Sequence, residues 1–266
     1  MGTIGTKEIR SFLDLSGKVA IVTGAASGLG KSASLAYATC GAKLALLDVS
    51  EKGLAELAKE ITDNGGEAIY AVCDVRKDAD ISASVQKAMD HYGRIDILLN
   101  NAGIALNGSV VDVEKDDWDN AMNINIGGMY LMCKYVLPFM KEQKYGKIVN
   151  VSSINAVVAD KPYSQVRHVY NTSKAAAIGL TKGIAASHGR YNITTNAIGP
   201  GLFETNMTQD NLYASEKFLE VYSKVNPMGR GGAEGEVNGT ILFLSSEMST
   251  YVNGQFILIE GGMATV

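Results

Sequence analysis

The chain has 266 residues, of which 46% are hydrophobic, and a formal net charge of −4 with a pI near 5.5. This length suits one large α/β domain spanning 1–266, and an acidic chain without a basic run is not expected to bind nucleic acid. Residues 1–16 lack the apolar core of a secretion signal, and no apolar stretch approaches the ~18 residues that a membrane span needs. The three cysteines and three histidines have no metal-like spacing. We therefore predict a cytoplasmic protein with no metal site and no membrane partner.

Strands and helices alternate along the chain. Short apolar runs predict seven strands, at 18–23, 43–47, 68–73, 95–99, 147–151, 193–198 and 255–259. Helical periodicity predicts helices between them, at 29–40, 51–63, 81–92, 116–140, 169–187 and 234–245. This alternation predicts an α/β fold: a Rossmann-type doubly wound parallel sheet of about seven strands with helices on both faces. Ligands of such sheets bind beyond the carboxyl ends of the strands.

A glycine-rich turn at 23–30 (Thr-Gly-Ala-Ala-Ser-Gly-Leu-Gly) joins the first strand to the first helix. Glycines lack the Cβ atoms that would hold a backbone away from a phosphate, and the start of a helix presents N–H groups and a partial positive charge to an anion. The turn therefore predicts a pyrophosphate site. Its expected contacts are Gly24, Ser27, Gly28, Leu29 and Gly30.

Asp48 ends the second predicted strand, 18 residues beyond Gly30. A carboxylate at this strand tip can accept hydrogen bonds from both ribose hydroxyls of an adenosine, and it would repel a 2′-phosphate. Neither Val49 nor Ser50 supplies a cation. The pattern therefore favours NAD as cofactor over NADP, although Lys31 lies just beyond the turn.

Tyr170 and Lys174 lie four residues apart at the start of a predicted helix, and so share one helix face. A nearby ammonium favours phenolate over phenol, and a tyrosine in that environment can take or give the proton of an alcohol. The same spacing recurs at 130–134 and 213–217. Only Tyr170, however, begins a helix that follows a strand ending in serines, so position singles out this pair.

These motifs resemble the short-chain dehydrogenase/reductase family over about residues 15–262. The matches, in chain order, are Thr-Gly-x-x-x-Gly-x-Gly at 23–30, Asn-Asn-Ala-Gly at 100–103, Asn125 with Gly128, Ser153, Tyr170-x-x-x-Lys174, and Pro200-Gly201 with Thr205. The resemblance implies a catalytic tetrad of Asn125, Ser153, Tyr170 and Lys174. Tyr170 would be the general acid/base, and Ser153 would hydrogen-bond the substrate oxygen. Lys174 would bind the nicotinamide ribose, and Asn125 would hold a proton-relay water.

The resemblance also implies further cofactor contacts. Asp74 and Val75 would bracket the adenine, Asn101, Ala102 and Gly103 would line the adenosine side, Pro200 and Gly201 would join Tyr170 and Lys174, and Thr205 would contact the carboxamide. Asn100 is expected to stabilise the central sheet, and a homotetramer is implied, with helices around 116–140 and 169–187 between subunits.

The sequence departs from the family's usual pattern at two places. Ser153 and Tyr170 lie 17 residues apart, more than is usual, so the loop between them, at the mouth of the site, is expected to be longer than in the family. Glu260 stands where the family usually has Asp, with no catalytic consequence expected. Only one of Ser152 and Ser153 can face the site, and the resemblance favours Ser153.

Residues 202–226 carry many apolar side chains and are predicted to form a substrate lid. An apolar lid fits a bulky alicyclic alcohol such as a hydroxysteroid, including a bile acid. Arg167 and His168 could meet a substrate carboxylate, but we expect them to be solvated. Alternatives are a sugar-acid or polyol dehydrogenase like gluconate 5-dehydrogenase, a 3-oxoacyl thioester reductase, and a non-catalytic nucleotide sensor. In each case the partner is a small molecule.

Overall fold

A computed structural model describes residues 9–160, 166–205, 208 and 215–265. Its strands are β1 Val19–Thr23, β2 Lys43–Asp48, β3 Glu67–Val72, β4 Ile97–Asn100, β5 Gly146–Val151, β6 Ile193–Pro200 and β7 Phe256–Ile259. Within the described residues they form one parallel sheet in the order β3-β2-β1-β4-β5-β6-β7. The predicted doubly wound Rossmann-type sheet is confirmed. The strand order reverses between β1 and β4, where such sheets bind their ligands.

Helices cover both faces of the sheet. They are α1 Gly28–Thr39, α2 Glu51–Asp63, α3 Asp78–Tyr92, α4 Lys115–Met122, α5 Gly128–Gln143, α6 His168–His188, α7 Glu216–Val225 and α8 Asn238–Ser245. One apolar core packs α1, α2 and α8 on the sheet, and a second packs α3, α5 and α6 on the opposite face. Strands β1, β4, β5 and β6 are buried at every residue because both of their faces are covered.

The predicted continuous helix at 116–140 is wrong in one respect. A π-helical turn, Asn123–Gly127, separates α4 from α5. A π turn widens the helix by one residue without changing the hydrophobic pattern around it, so periodicity does not reveal it. Such turns are frequent at functional sites, and this one contains Asn125.

A polar ladder joins the middle of the sheet to α6. Asn100 and Asn150 are opposite each other in the β4–β5 register, and Asn100 Nδ2 donates to Asn150 Oδ1 at 2.9 Å. Asn150 Nδ2 in turn donates to Thr181 Oγ1 at 2.9 Å. All three side chains are buried. Asn100 therefore bonds to the neighbouring strand directly and is linked to α6 through Asn150.

The predicted lid is described only in part. Residues 206–207 and 209–214 of the lid, and 161–165 of the loop before Tyr170, lie outside the described residues. In the described part, the rings of Phe218 and Tyr222 stack on α7 with centroids 6.0 Å apart. Among the helices that the structure describes, none has the length and apolar character needed to cross a membrane.

Candidate active site

The glycine-rich turn fits a diphosphate. Gly24 and Gly28 have φ values of 65° and 51°, a conformation that favours glycine. A Cβ on Gly30 would lie 2.1 Å from the carbonyl oxygen of Gly24, so the turn closes only with glycine there. Ser27 is extended at the N-cap of α1, and its side chain makes no capping hydrogen bond. The first-turn N–H groups of α1 are therefore left for an anion.

Two of the predicted cofactor segments are bonded to each other. Asn101 Nδ2 donates to the carbonyls of Thr23 and Gly24, both at 3.1 Å. Thr23 Oγ1 accepts from the backbone N–H groups of Asn101 at 3.0 Å and Ala102 at 3.1 Å. The bonds of Thr23 to Asn101 and Ala102 were not anticipated from the sequence. Their signal is a hydroxyl at the end of a strand that is otherwise apolar.

Asp48 lies against the glycine-rich turn. Its Oδ2 accepts from the backbone N–H of Ala26 at 3.0 Å, and its Oδ1 accepts from Ser50 N at 2.9 Å. Lys31 forms an ion pair with Glu60 at 3.0 Å. The basic residue beyond the turn is therefore occupied by a carboxylate of α2.

Asp74 is held by a guanidinium. Arg76 Nε donates to Asp74 Oδ1 at 2.9 Å, and Arg76 Nη2 donates to Asp74 Oδ2 at 2.6 Å. These bonds lower the pKa of Asp74 to about 2. The neighbouring Val75 packs under the start of α5, where a Cβ on Gly128 would lie 2.7 Å from Val75 Cβ. Both predicted adenine contacts thus follow β3 at the carboxyl edge of the sheet.

Tyr170 and Lys174 lie one turn apart on α6, as the spacing predicts. Lys174 is buried, its Nζ donates to the carbonyl of Val151 at 2.9 Å, and this Nζ lies 5.5 Å from the centroid of the Tyr170 ring. Of the adjacent serines, Ser152 Oγ donates to the carbonyl of Lys174 at 2.7 Å. Ser153 is also buried, and its Oγ accepts from the backbone N–H of Asn155 at 3.1 Å.

Asn125 is joined to the helix of Tyr170 through Ser173. Asn125 Nδ2 donates to Ser173 Oγ at 3.0 Å, and Ser173 Oγ donates to the carbonyl of Tyr170 at 2.9 Å. The Asn125 amide also exchanges two bonds with the backbone of Ile104, at 2.8 and 2.9 Å. Ser173 was not anticipated from the sequence. Its position, three residues after Tyr170 on one helix face, is the signal that could have found it.

Gly103 lies where Asn125 and Lys174 meet. A Cβ on Gly103 would lie 3.1 Å from Asn125 Oδ1 and 3.4 Å from Lys174 Nζ. The amide oxygen and the ammonium therefore face the same point. This arrangement can hold a small polar group between them.

The remaining predicted cofactor residues lie after β6. A Cβ on Gly28 would lie 3.4 Å from Thr205 Cβ, so Thr205 covers the glycine-rich turn. Pro200 is the last residue of β6, and Gly201 N donates to Ile259 O at 2.9 Å. A Cβ on Gly201 would lie 2.7 Å from Glu260 Cβ. This contact needs glycine whether the side chain at 260 is Glu or Asp, because it involves Cβ.

Arg167 and His168 are engaged by protein groups, contrary to the expectation that they are solvated. Arg167 pairs with Asp160, with Nη2 at 2.7 Å from Oδ2. His168 Nδ1 accepts from the backbone N–H of Val110 at 3.0 Å. The sequence could not give these partners, because both come from loops without periodicity.

Known proteins of similar sequence and fold are named as oxidoreductases. A family model described as enoyl-(acyl carrier protein) reductase matches residues 24–264. The 3-oxoacyl-(acyl-carrier-protein) reductase of Thermotoga maritima is 40% identical over 249 residues, 94% of this chain and 98% of the relative. A gluconate 5-dehydrogenase from Burkholderia cenocepacia, solved with NADP and tartrate, superposes with a TM-score of 0.91 at 33% identity, covering 97% of this chain and 99% of that one. Levodione reductase superposes with a TM-score of 0.88 at 32% identity, covering 94% and 99%.

The chain belongs to the short-chain dehydrogenase/reductase family. It is an oxidoreductase that acts on the CH–OH or keto group of a small molecule and binds a nicotinamide dinucleotide, NAD(P). In the described part of the chain, no group of three or more His, Cys, Asp or Glu side chains is placed to hold a metal ion.

Proposed function

We propose that the protein interconverts a secondary alcohol and a ketone with NAD, and that Tyr170 is the general acid/base. The observation that carries this proposal is the connection of Tyr170, Lys174 and Asn125 around α6. The buried Lys174 ammonium lies 5.5 Å from the Tyr170 ring, and Asn125 reaches the Tyr170 carbonyl through Ser173. A cation beside a phenol favours the phenolate that a general base requires.

Each residue of the tetrad has a separate task in this mechanism. Ser153 donates a hydrogen bond to the substrate oxygen, and the Tyr170 phenolate takes the hydroxyl proton during oxidation. Lys174 would donate to the nicotinamide ribose with an N–H that Val151 does not use, and would pass the proton from Tyr170 on to solvent through a water held toward Asn125. NAD supplies the hydride acceptor when it is bound. Donors fixed before the substrate arrives lower the barrier because they need no reorganisation.

We propose NAD over NADP because of Asp48 and Lys31. Asp48 is fixed against the glycine-rich turn by two backbone N–H groups, at the strand tip where an adenosine ribose is read. Lys31 is paired with Glu60 and therefore is not committed to a 2′-phosphate.

The substrate we propose first is a bulky alicyclic alcohol such as a hydroxysteroid or bile acid. The stacked rings of Phe218 and Tyr222 on α7 support an apolar lid. Arg167 and His168 already have protein partners, so neither is kept for a carboxylate. The second candidate is a sugar acid or polyol, favoured by the similarity to a gluconate 5-dehydrogenase structure. A 3-oxoacyl thioester is the third, favoured by the Thermotoga maritima relative.

The test is a screen of hydroxysteroids, polyols, sugar acids and acetoacetyl-CoA at 340 nm with each cofactor. The best substrate is then assayed with Tyr170→Phe and with the matched control Tyr130→Phe. Tyr130 also has a lysine four residues later, but it is 53% exposed on α5. We expect Tyr170→Phe to lose at least about 100-fold in turnover while still binding NADH, and Tyr130→Phe to keep wild-type turnover. Full turnover by Tyr170→Phe would refute the mechanism, and NADH binding without turnover of any substrate would favour a nucleotide sensor.

We also propose a homotetramer, with α4 to α6 between subunits, as the family resemblance implies. Sedimentation velocity at micromolar concentration tests this proposal. A monomer there would rule it out.

A further inference from the structure

A chain of contacts begins at Ser153 and runs through the segment that follows β5. Ser153 Oγ accepts from Asn155 N at 3.1 Å and lies 3.5 Å from Asn155 Oδ1. Asn155 is buried, and its Nδ2 donates to Asp160 Oδ2 at 3.1 Å. Asn171 Nδ2 donates to the Asn155 carbonyl at 2.7 Å, which fixes the segment to α6. The position of the serine hydroxyl thus depends on how this segment is held.

The same contacts continue from Asp160 to Tyr170. Arg167 Nε and Nη2 both donate to Asp160 Oδ2, at 2.9 and 2.7 Å. The Arg167 guanidinium carbon lies 5.7 Å from the centroid of the Tyr170 ring. The side chains of Arg167 and Asp160 are only 22% and 24% exposed, so solvent screens the pair incompletely. Asp160 Oδ2 therefore accepts hydrogen bonds both from Asn155, which bonds to Ser153, and from Arg167, which lies beside Tyr170.

We infer that Asp160 is a positioning residue with two effects. It fixes the position of Ser153 relative to Tyr170, and it neutralises the charge of Arg167 beside the tyrosine ring. This inference rests on the proposed function, in which Ser153 and Tyr170 share the substrate oxygen. The charged groups that the described structure places around the Tyr170 ring are Arg167 at the N-cap of α6, Lys174 on α6, and Asp160 on the segment after β5. With Asp160 in place, Lys174 is, among the described residues, the cation near the ring that no carboxylate offsets.

Because Asp160 neutralises Arg167, removing either charge should move the pH profile, in opposite directions for the two single variants. Asp160→Asn keeps a side-chain acceptor but leaves Arg167 uncompensated, which favours the phenolate. Arg167→Met leaves Asp160 uncompensated, which disfavours it. At these separations the midpoint of the pH profile for alcohol oxidation should move by about one pH unit, downward in Asp160→Asn and upward in Arg167→Met. The double variant should return to within about 0.3 units of wild type.

The experiment measures single-turnover hydride transfer against pH with NAD and the best alcohol of the screen. A second readout, tyrosinate absorbance, needs no substrate: each variant is compared with its own Tyr170→Phe counterpart. Thermal melting and NADH fluorescence show whether each variant is folded. Arg167→Lys keeps the positive charge but loses the paired Nε and Nη2 bonds to Asp160. The midpoint of its pH profile should therefore be unchanged, while kcat falls several-fold. Asp63→Asn, which removes an exposed carboxylate from an ion pair on α2, is the matched control.

Opposite movements of the two single variants, with recovery in the double variant, would establish the inference. Movement in one common direction, or unmoved profiles in variants that still bind NADH, would overturn it. If Arg167→Met does not fold, Asp160→Asn decides by the direction of its own shift. Retained turnover in Tyr170→Phe would instead refute the proposed function. An inactive Tyr170→Phe beside unmoved profiles would refute this inference alone.

Discussion

Asp48→Asn tests how the cofactor is selected. The substitution keeps the size of the side chain. It also keeps one oxygen that can accept from the backbone N–H of Ala26, which lies 3.0 Å from Asp48 Oδ2 in the unaltered protein. It removes the charge that we expect to accept hydrogen bonds from the adenosine ribose. A hydrogen bond to a charged group is worth about 1.5–3 kcal/mol. We therefore expect NADH affinity to fall by about 2 kcal/mol, or roughly 30-fold in Kd.

NADPH should respond in the opposite direction. Repulsion between a carboxylate and a 2′-phosphate carrying about two charges, at ~5 Å in a water-like dielectric, is on the order of 1–2 kcal/mol. Removing the carboxylate charge relieves it. The ratio of the NADPH and NADH dissociation constants should therefore shift by about 3 kcal/mol, or roughly 200-fold, toward NADPH.

The assay is the quenching of protein fluorescence by each reduced cofactor, with melting temperature measured alongside. Glu60→Gln is the control, because it releases Lys31 from its 3.0 Å ion pair and leaves Asp48 in place. We expect that control to change the ratio by less than about twofold, since an exposed ion pair is worth little. An unchanged ratio in Asp48→Asn would show that another residue reads the ribose. A large change in Glu60→Gln would identify Lys31 as that residue.

Three further outcomes are expected. Gly30→Ala should abolish NADH binding or folding, because the new Cβ would lie 2.1 Å from the carbonyl oxygen of Gly24. Gly179→Ala is the control: no atom lies within 4 Å of its new Cβ, so melting and NADH binding should be unchanged. Arg76→Met should lower the free energy of unfolding slightly at pH 7, since solvent screens this pair. Because the pKa of Asp74 is lowered to about 2 from 3.8, urea titrations should show that difference above about pH 4 and lose it as the pH falls toward 2. Burial raises the pKa of the Cys133 thiol to about 12, so mass spectrometry should find it unmodified by iodoacetamide at pH 8 until the protein unfolds.

Local signals located most elements of the fold. The bounds of α2 were predicted to the residue because its signals agree: Ser50 caps the helix by accepting from Gly53 N, and a buried stripe of Leu54, Leu57, Ala58 and Ile61 faces the sheet. The π turn at Asn123–Gly127 was missed because nothing in the apolar period changes across it. The side-chain bonds made at this turn are tertiary, since the Asn125 amide binds the backbone of Ile104, 21 residues away.

In the candidate site, too, some features were predicted from the sequence and others were not. Strand ends and the helix spacing brought Tyr170 and Lys174 to the expected edge, because parallel strands place their carboxyl ends together. The partners that fix these side chains were not anticipated. Ser173, Asp160 and Thr23 bond to groups that are distant in sequence or lie in loops, and a local pattern does not identify the partner in such a contact.

The bonds already made within the protein limit what each site residue has left for a ligand. Asn101 uses its amide donors on the carbonyls of Thr23 and Gly24, so its contribution to cofactor binding falls to its main chain and side-chain oxygen. Lys174 gives one bond to Val151 and keeps donors free, since an ammonium has three. Asn101 therefore shapes the glycine-rich turn, whereas Lys174 can reach the ribose without first breaking its hold on β5. Substitution of Asn101 should thus lower cofactor affinity by changing the shape of the glycine-rich turn. Substitution of Lys174 should instead lower the rate of the chemical step.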